Sequence, residues 1–109
     1  VDVMSNNNCI RNLLKYIALL QDNSSKTCNS LCSNNYNTRV VQLYKKNGDL
    51  LSINSSNYFR IMNVCGDCCT LLLLSNNSSS YSSLGEYVTI DCNCIGCVRC
   101  VEDISITGV

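Results

Sequence analysis

The 109 residues contain no histidine, no proline and no tryptophan. Without histidine the chain lacks the commonest acid–base side chain, and neither a carboxylate pair nor a serine nucleophile motif takes its place, so no catalytic residue is assigned. Eight basic residues balance eight acidic ones with no run of either sign, so the basic footprint of a nucleic-acid or anionic-membrane binder is missing. Long apolar runs are missing too. Uninterrupted runs such as Leu71 to Leu74 fall far short of the roughly 18 residues a spanning helix needs. The apolar stretch around Leu13 to Leu20 is broken by Lys15 and has no basic lead or small-residue cleavage site, so no signal peptide is expected.

What the chain has is sulfur: ten cysteines, enough for a covalent scaffold in a small protein. They fall in three groups: Cys9, Cys28 and Cys32; Cys65, Cys68 and Cys69; and Cys92, Cys94, Cys97 and Cys100. A chain of this length can bury about 65% of its unfolded surface as one domain, so disulfides would add to a core rather than replace one.

Ile10, Leu13, Leu14, Ile17 and Leu20 recur at steps of three and four, predicting an amphipathic helix over residues 6–21, with Asn6, Asn7 and Asn8 as capping candidates. A Ser/Asn-rich loop to about Thr38 then holds Cys28 and Cys32. Residues 39–44 and 50–53, either side of Asn47-Gly48, read as a β-hairpin. Residues 58–64 and 68–74 read as a second pair around Gly66 and Asp67, with Leu71 to Leu74 buried on both faces. Residues 75–83 are serine and asparagine with one tyrosine and read as an exposed, mobile loop. Residues 86–92 and 97–101 complete the set, with Gly96 as a bulge. Tyr44, Tyr58 and Tyr87 are expected to pack on strand faces. The expected fold is mainly β, an antiparallel sandwich or barrel of about six strands behind one helix. It forms one compact domain, with residues 1–38 as its N-terminal part and 39–109 as its β-rich part.

The segment Tyr58-Phe59-Arg60-Ile61, leading into Val64-Cys65-Gly66-Asp67-Cys68-Cys69-Thr70-Leu71, resembles the CotY/CotZ family of cysteine-rich spore coat and exosporium proteins. So do Tyr87-Val88-Thr89-Ile90-Asp91 and Cys94-Ile95-Gly96-Cys97-Val98-Arg99-Cys100. The early Cys9, the later pair Cys28 and Cys32, and Lys45-Lys46-Asn47-Gly48 extend the likeness over nearly the whole chain. The chain departs from the family in being shorter, in the low complexity of residues 75–83, and in Cys65-Gly66-Asp67-Cys68-Cys69, where the family more often has one residue fewer. The resemblance implies a structural protein, made in the mother cell, that self-assembles with other spore-surface proteins into disulfide-hardened layers or related structures outside the spore.

Three fates for the sulfurs stay open. Internal disulfides are the plainest. Against them as the whole account, successive strand residues face opposite ways, so Cys68 and Cys69 diverge. Cys92, Cys94 and Cys100 share a parity that Cys97 lacks unless Gly96 shifts the register. Outward thiols need a partner within about 7 Å, which a neighbouring copy supplies. Intermolecular bonding is therefore favoured, with Cys9 as first cross-linker and Cys28 and Cys32 next, and with the two later groups mixing internal and external bonds. Structural zinc is the rival, held by Cys65-x-x-Cys68 and Cys94-x-x-Cys97 in a small adaptor module. Cys94-x-x-Cys97-x-x-Cys100 begins like a ferredoxin motif but lacks the fourth ligand and its following proline. No cofactor is assigned.

Overall fold

The computed structural model describes residues 3–24, 36–78 and 80–109, with side chains from residue 9 to residue 21 of the first segment. Cys28 and Cys32 lie outside the described residues. The elements run α1 (Val3–Ser24), β1 (Thr38–Lys45), β2 (Tyr58–Cys65), β3 (Cys68–Asn77), β4 (Ser80–Asp91), a single 3₁₀ turn (Cys92–Cys94) and β5 (Ile95–Ile104). The five strands form one antiparallel sheet in the order β4-β3-β2-β1-β5. The mainly β fold with one leading helix is as the sequence predicts.

The helix begins before Asn6, so the three asparagines fall inside it rather than capping it. Its stripe seats Leu14 and Ile17, both fully buried, on one face of the sheet. There they meet Val41 and Leu43 of β1, Phe59, Ile61 and Val64 of β2, and Cys69, Leu71 and Leu73 of β3. Burial of each large aliphatic chain stabilises the fold by about 1.5–3 kcal/mol relative to exposure. Gln21 extends the stripe by one further turn and is also fully buried. Its amide donates to the Ile61 carbonyl at 2.7 Å and accepts from the Arg39 N–H at 2.8 Å, pinning the helix end to two strands.

A second cluster of Val40, Leu72, Leu74 and Ile106 lies on the other face. Leu71 to Leu74 are thus buried on both faces, and β3 lies inside the sheet, between β2 and β4.

Two expectations are corrected. The described residues of the 75–83 stretch are not a loop: residues 75–77 and 80–83 pair as the end of the β3–β4 hairpin, with Ser75 opposite Ser82 and Asn76 opposite Tyr81. Backbone pairing needs no apolar side chain, and the Ser75 and Ser82 hydroxyls bond at 2.9 Å while Tyr81 packs on the Tyr58 ring. Residues 50–53 do not form a strand. The Lys45–Asp49 turn closes through Gly48 at φ 95°, but only the single bridges Tyr44–Leu50 and Ile53–Ser56 follow. The described residues therefore hold five strands, close to the expected number of about six. Tyr87 also departs from expectation and is mostly exposed.

The sheet is curled. β4 and β5 are its opposite edges, yet only four peptide steps join Asp91 to Ile95, a reach of at most about 14 Å. Four interstrand spacings of about 4.8 Å would hold flat edges about 19 Å apart. Register shifts assist the curl. One falls beside Met62 and another at residues 84–86, where Gly85 has φ 74°. β5 is bulged at Gly96 and again at Val101. A side chain at Gly96 would bring its Cβ within 2.9 Å of the Lys46 Cα, so only glycine lets β5 approach β1 there.

Candidate functional site: the thiol groups

Cys65-Gly66-Asp67-Cys68 is the two-residue turn between β2 and β3, with Gly66 at φ 58° as such turns demand. Cys65 and Cys68 are register partners and both are exposed. Directly opposed residues have Cα atoms about 4.5–5.5 Å apart, within the range a disulfide tolerates. This pair can therefore close on itself.

Cys68 and Cys69 diverge, as strand alternation predicts: Cys68 is exposed, whereas Cys69 is fully buried under α1. Cys92 reaches the same buried place from the 3₁₀ turn, its N–H donating to the Asp67 carbonyl at 2.7 Å. The Cys69 and Cys92 thiols are hydrogen-bond neighbours. Burial, reinforced by the Cys92 sulfur, pushes the Cys69 thiol up to about 12. Burial likewise raises the Cys92 thiol, although the Arg11 guanidinium nearby partly opposes this. Both stay protonated at neutral pH and are poor nucleophiles.

Arg11 also pairs with Asp67, tying the helix to the turn beside these sulfurs. Any disulfide that Cys69 and Cys92 form is internal, because neither reaches the surface and each is the other's sulfur neighbour.

The remaining described thiols stand apart. Cys9 is exposed on α1 and Cys94 is exposed in the 3₁₀ turn. Cys97 and Cys100 are exposed on the edge strand β5. Gly96 does shift the register: Ile95 pairs Lys45 and Cys97 pairs Tyr44. Cys97 consequently lies on the face away from the helix, while Cys100, opposite the core residue Val41, lies on the helix face. β5 itself is held by Arg39, whose guanidinium binds the Asp103 carboxylate at 2.8 and 2.9 Å, and by Arg99, which donates to Gln42 at 2.6 Å.

The thiols thus fall into a buried pair, a rim pair and four that are single and exposed. Of the two Cys-x-x-Cys segments, one closes the β2–β3 turn and the other leads from the 3₁₀ turn into the β5 edge. Among the described residues no three Cys, Asp or Glu side chains gather where they could hold a metal ion. The buried sulfur pair carries no signal in the sequence, since it depends on the short crossing from β4 to β5. The buried glutamine does carry one, as Gln21 follows Ile17 at a step of four.

Comparison with known proteins adds no relative: no family model, no curated protein and no solved structure matches the chain.

Proposed function

We propose that this protein is a structural subunit that polymerises with itself into a layer or filament on the outside of a bacterial spore, hardened by disulfides between neighbouring copies. The observation that carries the reading is the exposure of Cys9 on α1, Cys94 in the 3₁₀ turn and Cys97 and Cys100 on β5, the last two on opposite faces of a sheet edge. Thiols aimed in several directions cannot all find partners on one small body, and a second copy supplies them. Cys28 and Cys32 add two further candidates. The sequence resemblance to the CotY/CotZ proteins supplies the location, the mother-cell origin and the expectation of other spore-surface proteins as partners. A covalent link turns a modest contact into one that survives detergent and dilution until a reductant arrives.

Purified assemblies run on a denaturing gel with and without reductant test the reading. Material that fails to enter the gel and collapses to one band on reduction supports it. A single monomer band in both lanes, accompanied by one bound zinc per chain, abandons it for the adaptor module. Cys9→Ser is expected to leave the fold intact and make assemblies soluble in hot detergent; unchanged resistance moves the link to another cysteine.

A further inference from the structure

Among the described residues β5 pairs with β1 alone, on one side, so its outer N–H and C=O groups are open to another strand. It runs for ten residues with neither proline nor lysine to protect that edge. With the bulged residues Gly96 and Val101 left out, its ladder places Ile95, Val98, Cys100 and Asp103 on the helix face and Cys97, Arg99, Glu102 and Ile104 on the other. Cys100 therefore stands one ladder step from Arg99 on one side and one from Glu102 on the other.

We infer that a second copy of this chain adds its own β5 to this edge, antiparallel, about a two-fold axis normal to the sheet through Cys100. The inference rests on the self-assembly reading and specifies one of its contacts. Such an axis keeps both helices on one side and sets residues equidistant from Cys100 against each other. Cys100 meets Cys100 of the second copy, Arg99 meets its Glu102, and Glu102 meets its Arg99. Other axes do worse. Those through Arg99, Glu102 or Asp103 oppose like charges, which destabilises a strand pair; one through Val98 joins five ladder positions against seven and leaves Arg99 without an acidic partner, and one through Cys97 joins only the first three. Arg99 keeps its bond to Gln42, because a guanidinium has donors for both partners.

Directly opposed Cα atoms stand about 4.5–5.5 Å apart, so the two Cys100 sulfurs can bond. A small-molecule disulfide is the oxidant. One Cys100 thiolate attacks it to give a mixed disulfide and release one small thiol; the second Cys100 thiolate displaces the other. Two protein thiols become one disulfide, and their two electrons and two protons leave with the two small thiols.

The test treats the reduced full chain with oxidised glutathione and maps the dimer by mass after non-reducing digestion. A symmetric Cys100–Cys100 peptide is expected to dominate. Either Arg99→Glu or Glu102→Arg alone lowers its yield roughly tenfold, and the two together restore it; a cooperative melt shows that each variant is folded. Dimers joined through other cysteines with no Cys100–Cys100 bridge, or a Cys100 bridge indifferent to both charge changes, overturn the edge pairing while intermolecular bonding stands. Chains that form internal bridges alone remove the broader reading as well.

Discussion

Cys69 and Cys100 are the same functional group on two strands of one sheet, three places apart, and the fold sends them to opposite chemical fates. Cys69 points from a central strand into a dry space already occupied by the Cys92 sulfur, where burial holds its proton on. Cys100 stands on an edge strand in solvent, beside backbone groups that have no partner among the described residues. Place in the sheet, rather than spacing in the chain, decides which sulfurs brace the subunit and which are offered to a neighbour.

The largest test of that contrast is kinetic. In reduced native protein at about pH 8, alkylation is expected to reach Cys94, Cys97 and Cys100 at least about tenfold faster than Cys69, since burial both closes off the Cys69 thiol and pushes it up to about 12. Peptide mapping of a timed iodoacetamide reaction measures the ratio, and equal rates would dissolve the distinction.

The same shift links stability to pH. Unfolded chains release the Cys69 proton near pH 9 while folded ones retain it to about 12, so the folded state binds more protons in that window. Under reductant the contribution is complete below pH 9 and is lost as pH climbs to 12, by at most about 4 kcal/mol at 1.36 kcal/mol per unit. Denaturant unfolding across this range is expected to show the slope in the native chain and a flatter one in Cys69→Ala.

Changes at the edge strand sharpen the other side of the comparison. Gly96→Ala forces a Cβ against the Lys46 backbone and is expected to cost about 1–3 kcal/mol, with hydrogen exchange quickening first along β5. The smallest effect belongs to Cys97→Ser, within about 0.5 kcal/mol by thermal unfolding under reductant, because that side chain is exposed and outside both apolar clusters.

Much of this could be read before the structure. The helix stripe, the turn at Gly66-Asp67 and the doubly buried Leu71 to Leu74 follow from period and composition. The divergence of Cys68 and Cys69, and the role of Gly96, follow from strand alternation. Residues 75–83 were legible only as polar, because a ladder held by backbone groups and paired hydroxyls leaves no apolar alternation. Leu50 and Ile53 look like strand residues, yet each makes only a single bridge. The sorting of sulfurs was out of reach for a further reason: Cys92 approaches Cys69 only because three residues carry the chain between opposite edges of a curled sheet.

Assemblies grown from equal parts of ordinary and nitrogen-15-labelled chains, oxidised together and digested without reduction, address the division of sulfurs most directly. Bridges involving Cys9, Cys94, Cys97 or Cys100 should join light to heavy peptides in about half of cases, the proportion random pairing gives when both copies are equally abundant, while any Cys69–Cys92 bridge stays wholly light or wholly heavy. Bridges that never mix the two isotopes, at every cysteine, would contradict the account.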